Sequence, residues 1–228
     1  MKKLLNYFYK VYNYYKTNSL YSNIKNKQSR DKFNFIYKSN YWKSNIEGSR
    51  SGRGSDLDST LEIRRDLKEF ISEYDIKSIL DIPCGDFYWM RSINLEKINY
   101  YGADIVEELI ESNKKNFNKQ NIKFDVKDIV NDDLPTVDLI FSRDCYVHLS
   151  DKEITQSLQN VINSKSKFFA TTIFLENFDN KTSNFADNWR PLNITKHPFN
   201  FKDPEIILND SNLSQSNKRI GIWRIDTL

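Results

Sequence analysis

The chain has 228 residues, 39% hydrophobic and 29% charged, with a net charge of +3 at pH 7. That length supports one large domain, or a domain with an extension, without disulfides or metals to hold it together. No apolar run approaches the ~20 residues needed to cross a bilayer. Only six glycines and five prolines are present, which excludes collagen-like and Pro/Gly-rich low-complexity classes.

The charge is unevenly placed. Residues 1–30 hold seven Lys or Arg and no acid, which leaves the remaining residues at net −4. Leu4, Phe8, Val11, Tyr12 and Tyr15 fall on one helical face. A basic aromatic helix of this kind suits packing on a main domain, association with a second copy through residues 1–30, or weak peripheral contact with an anionic membrane surface. The stretch after Lys2 and Lys3 is interrupted by Asn and Lys and lacks a small-residue cleavage site, so the cytoplasm is the expected compartment. Cys84 and Cys145 are too few for a disulfide framework and lack the His spacing of a zinc site; free thiols and no metal are expected.

Residues 48–55 read GSRSGRGS and contain three of the six glycines. The segment reads as a linker or as a lid, with Arg53 able to close over a phosphate. It divides the chain into an N-terminal extension, residues 1–55, and a domain, residues 56–228. A helix is expected to follow through Leu61, Ile63, Leu67, Phe70 and Ile71, with Asp58 or Ser59 as its cap.

From residue 77 short apolar strands alternate with amphipathic helices. KSILDI, NYYGADI, IKFDVKD, VDLIFSRD, KFFATTIF, EIILNDS and RIGIWRID read as strands; VEELIESNKKNF and KEITQSLQNVINS read as helices. The alternation predicts a doubly wound, mostly parallel α/β sheet. The short connection between the last two strands makes one of them antiparallel.

Such sheets bind ligands beyond the carboxyl ends of their strands, so the residues there carry the chemistry. Asp81-Ile82-Pro83-Cys84-Gly85-Asp86 ends the first strand, in a turn expected to open a helix whose free N–H groups face a ligand. Asp104 ends the second, where an acid can accept two hydrogen bonds from a ribose diol, and Ile105 follows it. Asp128 and Ile129 end the third, an acid for an adenine amino group beside an apolar cover for the ring. The fourth ends in Arg143-Asp144-Cys145-Tyr146-Val147-His148. His148 and Asp144 are the base candidates for an alcohol acceptor, and Arg143 clamps an anion or pairs with Asp81. Arg190, within NWRPLN, reads as a substrate contact. Trp42, Trp89 and Trp189 read as core residues or as platforms for a sugar or base.

Taken together these residues resemble the class I S-adenosylmethionine-dependent methyltransferases. LDIPCGDF is similar to the first motif of that family. The resemblance implies a seven-stranded Rossmann-like sheet, mostly parallel with one antiparallel strand, preceded by a helical extension. It also implies S-adenosylmethionine as cofactor, S-adenosylhomocysteine as product, and a cofactor site built from Asp81, Pro83, Cys84, Gly85, Asp104, Ile105, Asp128, Ile129 and Arg143. His148, Asp144 and Arg143 would serve catalysis, and Arg53, Trp89, Trp189 and Arg190 the acceptor. More narrowly, GSDLDSTLEIRRDL, LDIPCGDFYWM, YYGADIV, SRDCYVHLS, TTIF and NWRPLN are similar to a small bacterial family associated with surface-polysaccharide loci. That implies a small polar acceptor such as a sugar, a nucleotide sugar or a phosphoramidate-type group. Pro83 and Phe87 replace the usual first and third glycines of the turn, which predicts a narrower pocket. The absence of G-x-G-x-x-G argues against a dinucleotide. Two further readings stay open. One is a catalytically silent module that binds a partner through its basic helix. The other is a nucleic-acid methyltransferase, against which SRDCY stands where amino-directed DNA enzymes carry Asn/Asp-Pro-Pro-aromatic.

Overall fold

The computed structural model describes residues 29–43, 48–175, 179–181, 189–211 and 216–228; the helix expected around Leu4–Tyr15 lies outside them. Four helices are described: α1 (Ser29–Lys38), α2 (Leu61–Glu73), α3 (Glu107–Phe117) and α4 (Asp151–Asn163). The strands are β1 (Ser78–Asp81), β2 (Asn99–Asp104), β3 (Ile122–Val126), β4 (Leu139–Ser142), β5 (Phe168–Phe174), β6 (Ile206–Asn209) and β7 (Lys218–Arg224). None of the described helices is long and apolar enough to cross a membrane.

The seven strands form one sheet in the order β3-β2-β1-β4-β5-β7-β6. β1 to β5 pair in parallel, and β7 runs antiparallel to both β5 and β6. β4 and β5 are buried along their whole length, as a strand covered on both faces must be. On one face α2 sets Ile63, Leu67 and Phe70 against Ile79, Tyr100 and Phe168. On the other, Ile154, Leu158 and Val161 of α4 cover Ile140, Phe169 and Trp223. α4 is started by a capping box: Ser150 Oγ accepts the Glu153 N–H, and the Glu153 carboxylate accepts the Ser150 N–H.

Two local expectations are corrected. The turn after β1 opens no helix. Residues 82–98 cross to β2 through turns and a 3-10 turn at Met90–Ser92. Phe87 stands at a φ of +56°, which an α-helix cannot contain. Trp89, Met90, Ile93, Leu95 and Ile98 are all buried, a spacing that wraps the segment over the core instead of giving a one-sided helix. Phe87 itself packs on Tyr100, Phe117 and Phe124, so its ring fills core and takes no room from a pocket. The second correction concerns α2. Neither Asp58 nor Ser59 caps it; a 3-10 turn at Asp58–Thr60 leads in, and Thr60 Oγ1 donates back to the Asp56 and Leu57 carbonyls.

Phe169 lies between Tyr146 and Trp223 and has no exposure. Phe169→Ala should cost about 3–5 kcal/mol, read as a lowered urea midpoint at unchanged slope; a loss under ~1 kcal/mol would mean the site collapses freely around the deletion.

Candidate active site

The strand order reverses between β1 and β4, and the carboxyl ends of these two strands open into a crevice. Two adjoining hollows occupy it. The larger, about 400 Å³, is walled by the turn after β1 and the end of β4, with the 48–55 segment, including Arg53, across from them; Trp89 and Trp189 also line it. The smaller, about 80 Å³, is lined by Asp104 and Ile105 after β2, Asp128 and Ile129 after β3, and Phe33 of α1. Tyr37, Trp42, Pro83, Asp144 and His148 line both.

The first turn is held from three directions. Cys84 N–H bonds to the Ala103 carbonyl at 2.7 Å, Asn113 Nδ2 of α3 donates to the Gly85 carbonyl at 2.8 Å, and Gly85 N–H donates to Asp104 at 3.2 Å. Gly85 is required here for two reasons. Its φ is +55°, and a Cβ would stand 2.3 Å from Ser51 Oγ. Cys84 and Cys145 are free thiols, and burial raises the pKa of both.

Ser51 belongs to the glycine-rich segment, which packs as a wall of the crevice. The Asp86 carboxylate accepts from Ser49 Oγ at 2.8 Å and from the Arg50 N–H at 2.7 Å, while the Asp86 N–H donates to Ser51 Oγ at 3.1 Å. Tyr37 Oη donates to the same hydroxyl at 2.8 Å, tying α1 to the wall. Arg53 is exposed and lines the larger hollow, and its side chain forms no hydrogen bond or ion pair among the described residues.

Two acids of the crevice are buried without a cation in close contact. Asp81 accepts a 2.5 Å bond from Tyr100 Oη. Burial raises its pKa to about 7, with Asp104 adding to the rise and the Tyr100 bond and Arg143 opposing it. Asp104 accepts the N–H groups of Gly85 and Val106, yet burial still raises it to about 6. Asp128 accepts from the Val130 N–H and from Asn131 Nδ2, closing the turn after β3 at the edge of the smaller hollow.

The end of β4 is different. Arg143 does not pair with Asp81; its Nε and Nη2 grip Asp210, which follows β6, at 2.9–3.1 Å, and Nη2 also donates to the Gly54 carbonyl at 3.0 Å. Lys218 at the start of β7 bridges Asp144 at 2.6 Å and Asp210 at 3.0 Å. Burial alone would raise the Asp144 pKa, but Lys218 and Arg143 outweigh it and hold the carboxyl well below its usual range. Asp144 is therefore a fixed carboxylate with little basicity. His148 sits in the 3-10 turn Tyr146–His148, its ring 4.9 Å from that of Trp42, at the boundary of the two hollows.

Arg190 is also placed differently from its sequence reading. Its guanidinium donates to the Leu149 carbonyl at 2.7 Å and to Asp151 at 2.6 Å, and the buried residue lines neither hollow. An irregular loop rich in aromatic and polar residues looks the same in sequence whether its arginine reaches a substrate or fastens the chain. Sequence reasoning missed Tyr37, Ser51, Asp86, Asn113, Asp210 and Lys218. Only Asp86 carried a signal, as an acid inside the first turn.

Residues 79–164 match the family model described as a methyltransferase domain. No curated protein matches the sequence. Human N-acetylserotonin methyltransferase in complex with S-adenosylmethionine superposes with a TM-score of 0.59 at 13% identity, over 84% of this chain and 58% of that one. Magnesium protoporphyrin IX methyltransferase from Synechocystis, with S-adenosylhomocysteine bound, gives 0.52 at 9% identity, over 72% of this chain and 82% of that one. At these identities the likeness establishes a shared fold. The matched stretch contains Asp81, Gly85, Asp104, Asp128, Asp144 and His148; Tyr37, Trp42, Arg53, Asp210 and Lys218 lie outside it.

The raised acids make stability depend on pH with a definite sign. Asp81 holds its proton to about pH 7 when folded, against an ordinary value of 3.8, so the folded chain binds more protons between those limits. Its contribution is most favourable below the unfolded value and is lost as pH rises through the folded one. Asp81→Asn should remove about 2–4 kcal/mol of that decline, measured by urea unfolding at pH values on either side of the window. Equal declines in both proteins would show that Asp81 is not the source.

Proposed function

We propose that this chain transfers a methyl group from S-adenosylmethionine to an oxygen of a small, polar, anionic acceptor. The methyltransferase domain matched over residues 79–164 gives the reaction class, and S-adenosylmethionine is the donor of that class. The observation that carries the reading is the junction of the two hollows at His148, with Asp104 and Asp128 lining one hollow and Arg53, with Asp81 and the Gly85 turn, lining the other.

The residues fit the cofactor. Asp104 is a buried acceptor at the end of β2, placed for a ribose diol. Ile105 and Ile129 offer apolar cover to an adenine, with Asp128 at its edge. Asp81, beside the Gly85 turn, is a buried acid that a cationic amino group would favour in its ionised form. Pro83 and Cys84 line the same passage. No phosphate cradle is needed, which suits a turn with one glycine. The chemistry supplied when the cofactor is bound is a methyl on sulfonium, open to in-line displacement.

The chain's own part is to position the acceptor and take its proton. His148 is the base: it lies at the boundary, and Asp144, though close enough to interact with it, is too weakly basic. Asp144 instead favours the imidazolium that proton uptake creates, as a fixed negative charge beside it. Arg53 neutralises the acceptor's charge, and Trp89 and Trp189 flank the acceptor space. A nucleotide sugar of a surface-polysaccharide precursor supplies both a hydroxyl proton for His148 to take and phosphate charge for Arg53 to meet.

Calorimetric titration should show binding of S-adenosylmethionine and S-adenosylhomocysteine and none of NAD. Asp104→Ala should weaken that binding about 100-fold by removing two hydrogen bonds to a charged acceptor; unchanged affinity in the folded variant would take Asp104 out of the site. Methyl transfer is then assayed on a panel of sugars and nucleotide sugars. His148→Ala should lower kcat about 10²–10⁴-fold, and Arg53→Ala should raise KM for the anionic members while leaving neutral sugars unaffected. Turnover of neutral sugars in preference to nucleotide-linked ones would overturn the anionic acceptor.

A further inference from the structure

We propose that Asp210 and Lys218, from the β6–β7 hairpin, are positioning residues that set the Arg53 end of the 48–55 wall through Arg143. Both lie outside the matched methyltransferase domain, and both are buried with essentially no exposure. With Arg143 and Asp144 they make a cluster of two cations and two anions. Arg143, Asp210 and Lys218 are removed from water and Asp144 closes the cluster from the crevice side, so the charges persist there only when each is matched. Asp210 holds both Nε and Nη2 of Arg143, which fixes the plane of the guanidinium. In that plane Nη2 reaches the Gly54 carbonyl at 3.0 Å. A Cβ at Gly54 would stand 3.4 Å from Asp144 Oδ2, so the wall's backbone rests directly on the cluster.

The wall thus has two anchors, and the Ser49 N–H ties its two ends together by donating to Asp56 Oδ1 at 3.0 Å. Asp86 holds its first half, through Ser49 and the Arg50 N–H. Arg143 holds its second half, where the Ser55 N–H bonds to the Gly52 carbonyl at 3.0 Å and the Asp56 N–H to the Arg53 carbonyl at 3.2 Å. Arg53 lies between them, and the second anchor determines where it lines the larger hollow. The role assigned to Arg53 rests on the function proposed above; the positioning itself does not.

Amide hydrogen exchange on the full chain tests it, with no acceptor required. Asp210→Asn leaves an unmatched buried cation and endangers the fold, so Asp210→Asn/Lys218→Gln is made beside it. The double variant removes one charge of each sign and leaves Arg143 facing Asp144. In the double variant the amides of Ser55 and Asp56 should exchange at least tenfold faster, and trypsin should cut after Arg53 correspondingly sooner. The Arg50 and Ser51 amides, held by Asp86 and Ser49, and the β5–β7 ladder should keep their native rates, and Asp210→Glu should restore protection in part. Unchanged exchange at Ser55 and Asp56 in the folded double variant would overturn the proposal. So would faster exchange spread evenly over the wall and the ladder, because the cluster would then support the fold at large. Neither outcome depends on whether the acceptor is anionic.

Discussion

The site depends on the reversal of strand order between β1 and β4. Sequence-adjacent strands run outward from β1 through β2 to β3, and then the chain returns to lay β4 on β1's other side. Connections that cover opposite faces must part there, and the crevice between them cannot be filled by either. Every group discussed above is placed by that parting. Asp81, the Gly85 turn and Arg143–Asp144 all lie at the ends of the two central strands, and Asp104 and Asp128 follow on the β2–β3 side. On the other side, β7 runs antiparallel to β5 and brings its first residue, Lys218, to the same end of the sheet as the last residues of β4 and β5.

Five carboxyls line this crevice; Asp86 is committed to the 48–55 wall, and the surroundings of the other four set them apart. Asp81 and Asp104 meet hydroxyl and backbone donors in a buried space, and that burial raises both above the usual carboxylate range and makes them responsive to an incoming positive charge. Asp144 meets Lys218 and Arg143 and is locked as an anion. Asp128, less buried, is held to its own turn by Val130 and Asn131. A ligand with cationic groups gains from the first pair, whereas the third acid favours any proton that arrives on His148. Charge is thus distributed by burial and pairing, not by how many acids line the cavity.

Much of this was legible in the sequence. The alternation of apolar strands and amphipathic helices gave all seven strands within a few residues, and the rule that ligands sit at strand ends then picked out Asp81, Asp104, Asp128 and the 143–148 run. What was not legible were partners from distant segments. Arg143 can be seen to end a strand, but nothing nearby in sequence says that Asp210, 67 positions on, will hold it. Arg190 and Arg53 sit in equally irregular stretches, and only the fold shows that Asp151 holds one while the other lines the cavity. Phe87 was read from the turn's usual glycines, although its positive φ turns the ring away into the core.

The glycine-rich segment shows how composition and structure differ. Its sequence suggests freedom, and three glycines in eight residues would ordinarily raise the entropic cost of ordering it. Here Gly52, at a φ of +100°, turns the chain between the two anchors, and Gly54 offers its carbonyl to Arg143 beside the Asp144 carboxylate. The serines between them supply the donors and acceptors that meet Asp86 and Tyr37. A segment free to move would need neither the buried cluster behind Gly54 nor a carboxylate committed to Ser49 and Arg50. The structure spends buried polar groups on both ends of an eight-residue wall. The residue between them, Arg53, is thereby held at the wall of the larger hollow.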